Sequence, residues 1–216
     1  MERKYKYAVG KYENNVDFIP TDVYGPYGIP VIKPEDYTLS EFVPFSMAKQ
    51  CVRKEDHCVH FFLDDYRFTN IWTAREKYRN LLPQFNAVMT PDFSLFTDWP
   101  FMVQLWNHYR KHLIGAWMQS IGCKVYPTIA WSDESSYAWC FDGEPKDSTV
   151  CVSSVGTQMN KRSKYLFRKG YDKMLEVIEP NTILFYGQIP NGCEGNIVPI
   201  IPYQNKFKEM MKHDPS

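Results

Sequence analysis

The sequence predicts an α/β protein built on a mainly parallel sheet, or an incomplete β/α barrel, behind an irregular Pro/Tyr-rich N-terminal arm. Two observations carry this. Short apolar runs ending in polar residues, each followed by a helix-like segment, recur five times between residues 59 and 189. Prolines and glycines, by contrast, punctuate residues 1–50 at intervals too short for a long helix. Strands that alternate with helices pair in parallel, because right-handed crossovers return each strand in the same direction. All their carboxyl ends then share one rim, where open α/β sheets and β/α barrels bind ligands.

The arm comes first. Pro20, Pro26, Pro30, Pro34 and Pro44 alternate with Gly25 and Gly28, and Tyr5, Tyr7, Tyr12, Tyr24, Tyr27 and Tyr37 run throughout. Such spacing favours extended segments and turns, while the aromatics argue for packing onto a domain. Leu39–Met47 is read as a helical turn. The domain follows at 51–205, with a charged C-terminal tail at 206–216.

Its strands are read at Val59–Leu63, Ala87–Met89, Val125–Trp131, Thr149–Val152 and Thr182–Tyr186, with a shorter sixth at Ile197–Ile201. The clearest helix spans Pro100–Ile121, with Asp98 as N-cap and Gly122 as the stop. Its apolar stripe is Met102, Trp106, Tyr109, Leu113 and Trp117, widened by Val103, Ile114 and Met118. Further helices are expected near Trp72–Leu82 and Lys164–Ile178, the latter ended by Pro180, and a shorter one near Ser135–Phe141.

With 216 residues, the chain is expected to form one domain with a real core. Lys plus Arg equals Asp plus Glu at 25 each, so the formal net charge is zero. General nucleic-acid binding is thereby disfavoured, since a duplex-coating surface carries a basic excess. No apolar run approaches the roughly 18 residues of a membrane helix. Met1–Lys6 has no apolar segment behind its charges, unlike a signal peptide. A soluble protein of the cytoplasm is expected. Six scattered cysteines with no Cys-x-x-Cys fit a reducing compartment.

Three constellations bear on chemistry. Asp65 (or Asp64), Asp92 and Asp133 each follow a strand. Convergent carboxylates hold Mg²⁺ or Mn²⁺, or move protons, because a cation or a shared proton relieves their repulsion. The plainer reading is that each caps a helix. Next, Ser153-Ser154-Val155-Gly156-Thr157 leads to Lys161, Arg162 and Lys164. Such a small-residue loop before a helix offers amides and a favourable dipole to an anion. It lacks the Gly-Lys-Ser ending of a P-loop. Third, Cys51, His57, Cys58 and His60 match no common zinc spacing, and Cys58 and His60 would share one strand face. No Gly-x-Ser-x-Gly marks a serine hydrolase, and Cys140 and Cys151 sit in apolar runs that would bury them unactivated.

Thr90-Pro91-Asp92-Phe93-Ser94, Trp106-Asn107, Tyr109-Arg110, Gly115, Gln119, Gly122, Pro127 and Trp131 form a long ordered pattern. Phe141-Asp142-Gly143, Pro145, Ser148, Val155-Gly156 and Tyr186-Gly187 complete it. The pattern, covering about the last two-thirds of the chain, resembles domain-of-unknown-function family 4417 of bacteria, prophages and phages. The resemblance implies a phage or mobile-element setting and carries no catalytic residue. It does mark polar positions, among them Asn107 and Arg110, three apart on one helix face.

The leading expectation is a phage-type protein that binds a phosphate-bearing small molecule, a nucleotide by preference, at the carboxyl rim. Metal-assisted hydrolysis is a further expectation. Asp92 and Asp133 would be catalytic, with Asp65 joining them on the metal. Ser153, Gly156 and Lys161 would take the phosphate, Trp131 and Tyr186 would stack on the base, and Asn107 and Arg110 would complete the ligand contacts. The alternatives are an interaction protein that sequesters a nucleotide signal or blocks a host protein, and a nucleic-acid-acting module of replication or packaging.

Overall fold

The computed structural model describes residues 13–200. Tyr5, Tyr7 and Tyr12 of the arm, the last residue of the Ile197–Ile201 run and the tail from 206 lie outside them. An antiparallel pair opens the described chain: β1 (Val23–Tyr24) against β2 (Ile29–Pro30). Gly25 (φ +70°) and Gly28 (φ +63°) supply the left-handed backbone that its turn needs.

Seven parallel strands follow. They are β3 (Glu41–Pro44), β4 (His57–His60), β5 (Ala87–Met89), β6 (Val125–Tyr126), β7 (Thr149–Ser153), β8 (Thr182–Tyr186) and β9 (Ile197–Ile200). β3–β6 pair in chain order, as do β7–β9. Between the two groups Pro127 interrupts β6, yet a parallel bridge joins Thr128 to Cys151. The Ile129 amide donates to Cys151 O at 2.8 Å, and the Cys151 amide to Pro127 O at 2.8 Å.

The array curls, because the Phe62 ring just past β4 stacks on Tyr186 at the end of β8, centroids 4.8 Å apart. Buried Cys58 and Val59 of β4 share one core with Cys151 and Leu184 from the far side of the order. Among the described residues nothing pairs β9 with β3. The fold is thus α/β, with the strand order of an incomplete β/α barrel.

Three α-helices lie wholly within the described residues: α1 (Asn70–Thr73), α2 (Phe101–Ser120) and α3 (Lys161–Ile178). α3 buries Phe167, Tyr171, Met174 and Ile178 at helical spacing. Asn160 and Ser163 close its start as a reciprocal capping box, at 2.9 and 3.1 Å.

Several expected elements differ. Leu39–Met47 holds a strand and then a 3-10 helix (Phe45–Gln50), since Pro44 pushes Val43 towards extended backbone. The 72–82 stretch is no single helix. Ala74 (φ −152°, ψ 42°) breaks it into α1 and 3-10 turns at Arg75–Tyr78 and Leu82–Gln84. Ser135–Phe141 begins as a 3-10 helix at Glu134–Ala138. Asp98 does not cap α2, whose N-cap is Pro100 with no side-chain bond.

The predicted α2 stripe is half right. Leu113, Ile114, Trp117 and Met118 are buried, whereas Met102 and Trp106 are 67% and 40% exposed. Polar Asn107, His108, Lys111 and His112 are buried instead, because the Ser94 loop covers Asn107 while β2 and Asp142–Glu144 pack over the other three. Ile32, fully buried after β2, lies against Gly115, where a Cβ would stand 2.7 Å from the Thr90 methyl. No helix among the described residues is long and apolar enough to cross a membrane.

Candidate functional site

A cavity of about 700 Å³ opens at the carboxyl ends of β4–β8. Phe62, Asp64 and Arg67 line it from beyond β4, and Asp92, Ser94 and Phe96 from beyond β5. Ile129 and Trp131 follow β6, Ser153, Gly156 and Thr157 follow β7, and Tyr186 ends β8. The rim expected from the strand pattern is therefore where the cavity lies. Its volume is that of a small-molecule site.

Asp92 is the distinctive group. Part of its surface faces the cavity, and its carboxyl accepts no hydrogen bond from the described residues. Burial raises that carboxyl to about 7, the nearby Asp65 charge pushes the same way, and Lys111 opposes them. A carboxyl poised there exchanges protons at neutral pH. Arg67 is an exposed cation at the same mouth with no ion pair among the described residues.

A clamp holds the loop that carries Asp92. The Ser94 hydroxyl and amide donate to Asp65 at 2.9 and 3.3 Å, and Asn107 Nδ2 donates to Ser94 O at 2.7 Å. The Arg110 guanidinium stacks 3.6 Å over the Phe93 ring and stands 3.8 Å from Asp65. Burial pulls the Arg110 guanidinium below its usual value, with Asp65 opposing. Asn107 and Arg110 thus anchor the loop and do not line the cavity.

Trp131 forms a wall, its ring 5.5 Å from Phe167 and pressed against Gly170 of α3. Tyr186 faces it from β8, between Phe62 and His60. Burial lowers the His60 imidazole to about 4. On the β7 side the Val155 amide donates to Ser153 Oγ at 3.2 Å, and Gly156 (φ +79°) turns the chain towards α3.

Two assignments need correction. Asp133 caps the Glu134–Ala138 helix, accepting from the Ser135 amide at 3.0 Å and hydroxyl at 2.6 Å. It is not among the cavity-lining residues, so Asp65, Asp92 and Asp133 are not gathered around one point. Lys161 is the exposed first residue of α3, beyond the cavity. The capping box already occupies the helix start there.

Cys140 and Cys151 are buried, as their apolar runs predict. Burial raises the Cys140 thiol to about 12 and Cys151 well above its usual value. His57 approaches Glu41 at 3.7 Å, and Cys51, His57, Cys58 and His60 form no metal-binding group among the described residues. The one group there with three ligands in mutual reach is His108, His112 and Glu144, outside the cavity lining. Sequence reasoning missed it, and it also missed Arg67, although Arg67 shares the loop of Asp64 and Asp65.

These features define an α/β protein of parallel strands in chain order, with a ligand-sized cavity at its carboxyl rim. The chain belongs to the family described as Domain of unknown function (DUF4417), whose model matches residues 21–204. It is 39% identical over 165 residues to the "Gene 1 protein" of Mycobacterium phage L5, covering 76% of this chain and 72% of that one. It is 38% identical over 191 residues to the "Gene 1 protein" of Mycobacterium phage D29, covering 86% and 70%. No solved structure matches. The family resemblance and its phage setting are borne out, and the match reaches back into the Pro/Tyr-rich arm.

Proposed function

We propose that this phage-type protein binds a phosphate-bearing small molecule, with a nucleotide the favoured class, in the carboxyl-rim cavity, where Asp92 exchanges a proton with it. The observation that carries this is the unpartnered Asp92 carboxyl, raised to about 7 and facing a cavity of about 700 Å³. Aromatic faces at Phe62, Tyr186 and Trp131 suit a base, since stacking on such rings contributes about 1–3 kcal/mol per base. The phosphate falls to Arg67 and the Ser153–Gly156 turn, in place of Lys161. Asp92, with Asp65 nearby, would hold Mg²⁺ or Mn²⁺, and the ion would supply positive charge to offset that of the phosphate.

Thermal-shift and calorimetric titration with nucleotides, with and without Mg²⁺ or Mn²⁺, tests binding, and chromatography of the recovered ligand tests turnover. A nucleotide-dependent shift that Arg67→Ala and Asp92→Asn both weaken supports the reading. Binding unchanged in both variants defeats it.

A second reading, that the protein blocks a host protein, is favoured by the exposed Phe101, Met102, Val103 and Trp106 at the start of α2. A nucleotide recovered unchanged would instead support sequestration.

A further inference from the structure

We propose that His108 Nδ1, His112 Nε2 and Glu144 Oε2 form a buried site for one divalent transition-metal ion of the zinc class, which pins the β1–β2 hairpin to the barrel. The argument starts from hydrogen positions. His112 Nδ1 lies 2.8 Å from Pro30 O and His108 Nε2 lies 3.0 Å from Asp142 O. A backbone carbonyl only accepts, so each of these nitrogens carries the hydrogen. The opposite nitrogens, His108 Nδ1 and His112 Nε2, are then bare lone pairs.

His112 Nε2 faces Glu144 Oε1 at 3.0 Å, two acceptors in contact. His108 Nδ1 and Glu144 Oε2 are both buried with no partner. All three side chains are essentially inaccessible, with His108 at 1% and His112 and Glu144 at 0%. Unpaired buried acceptors each cost about 1–3 kcal/mol, and three that converge call for a shared cation.

The ligand set fits that cation. His108 and His112 are four apart on α2, so they share a face, and the imidazole centroids are 4.4 Å apart. One candidate ligand atom from each of His108, His112 and Glu144 lies within 4.8 Å of those of the other two. Around one tetrahedral zinc at about 2.0–2.2 Å they would draw together by up to roughly 1.5 Å. Backbone carbonyls on the far nitrogens are the outer contacts that metal-bound histidines make.

Lys111 donates to Glu144 Oε1 and, at 2.8 Å, to Thr128 O, which leaves Oε2 for the metal. Its ammonium repels a weakly bound cation. An ion with strong imidazole affinity is therefore required, which favours zinc over Mg²⁺ or Ca²⁺. The site joins α2, the β1–β2 hairpin through Pro30, and the Asp142–Glu144 loop, whose Gly143 O accepts the Ile32 amide at 2.9 Å.

The test uses tag-free full-length chain expressed with added Zn²⁺. Elemental analysis should give about one zinc per chain. Chelation should lower the melting midpoint by several degrees, with Zn²⁺ restoring it. Replacement by Co²⁺ should give d–d absorption without sulfur-to-cobalt charge transfer, and Glu144→Gln should weaken Co²⁺ binding at least about tenfold. If that variant fails to fold, the cobalt spectrum of the natural chain decides. A chain that binds no metal, with melting indifferent to chelator and Zn²⁺, would overturn the proposal in favour of a His112 imidazolium. Charge-transfer bands, which put the metal on thiols, would overturn it equally.

Discussion

Replacing Asp92 by Asn isolates the energetic cost of the rim carboxyl. In the folded chain Asp92 titrates at about 7, against 3.8 for the ordinary group. Below the ordinary value both folded and unfolded chains are protonated, and the group costs nothing. Between the two values the unfolded chain sheds a proton that the folded chain keeps, so stability falls as pH rises. Above about 7 the loss is complete. The gap is about 3 units, and at 1.36 kcal/mol per unit its ceiling is about 4 kcal/mol. Cavity water screens the charge, so about 2–4 kcal/mol is expected.

Asp92→Asn should therefore match the natural chain near pH 4 and gain steadily on it up to pH 7 and beyond. Paired urea titrations at successive pH values read the difference, in which all other titrating groups cancel. At about 2–4 °C per kcal/mol for a chain of this size, the melting midpoint at pH 8 should rise by roughly 4–16 °C. A difference that stays flat with pH, or one in which the natural chain gains as pH rises, refutes the reasoning.

Other outcomes follow from particular contacts. Gly170→Ala would drive a methyl into the Trp131 indole; it should cost about 1–3 kcal/mol in denaturation and shift the tryptophan emission. Ile32→Ala empties a fully buried position beneath α2; a loss of about 2–5 kcal/mol is expected, with faster proteolysis around residues 25–40. Asp133→Ala should cost about 0.5–2 kcal/mol as a lost cap and leave nucleotide affinity untouched, and a loss of affinity would return Asp133 to the site. Arg67→Ala should leave stability within about 0.5 kcal/mol while weakening any phosphate-bearing ligand in calorimetry.

The strands were legible because buried parallel strands are short apolar runs, and all five predicted runs lie in the array. The rim followed from their polar endings, which is why Asp92, Trp131, Ser153, Gly156 and Tyr186 meet at one cavity. Asp133 and Lys161 went astray because a residue just past a strand serves equally as a cap or a helix start. The polar face of α2 was illegible for a deeper reason. Amphipathic reading assigns apolar residues to the interior, yet His112 and Asn107 are buried by Pro30 and Ser94, whose approach depends on the tertiary fold. Likewise, nothing local announces the turn at Ala74 that fragments the 72–82 segment.

The two margins of the curled array share a device against self-association. β3 ends on Pro44 and β9 contains Pro199, and each strand has a neighbour on only one side among the described residues. A proline offers no amide to an incoming strand. Neither margin presents an unbroken ladder for another copy to zip onto, so the open seam need not become a template for aggregation when the chain is made in quantity.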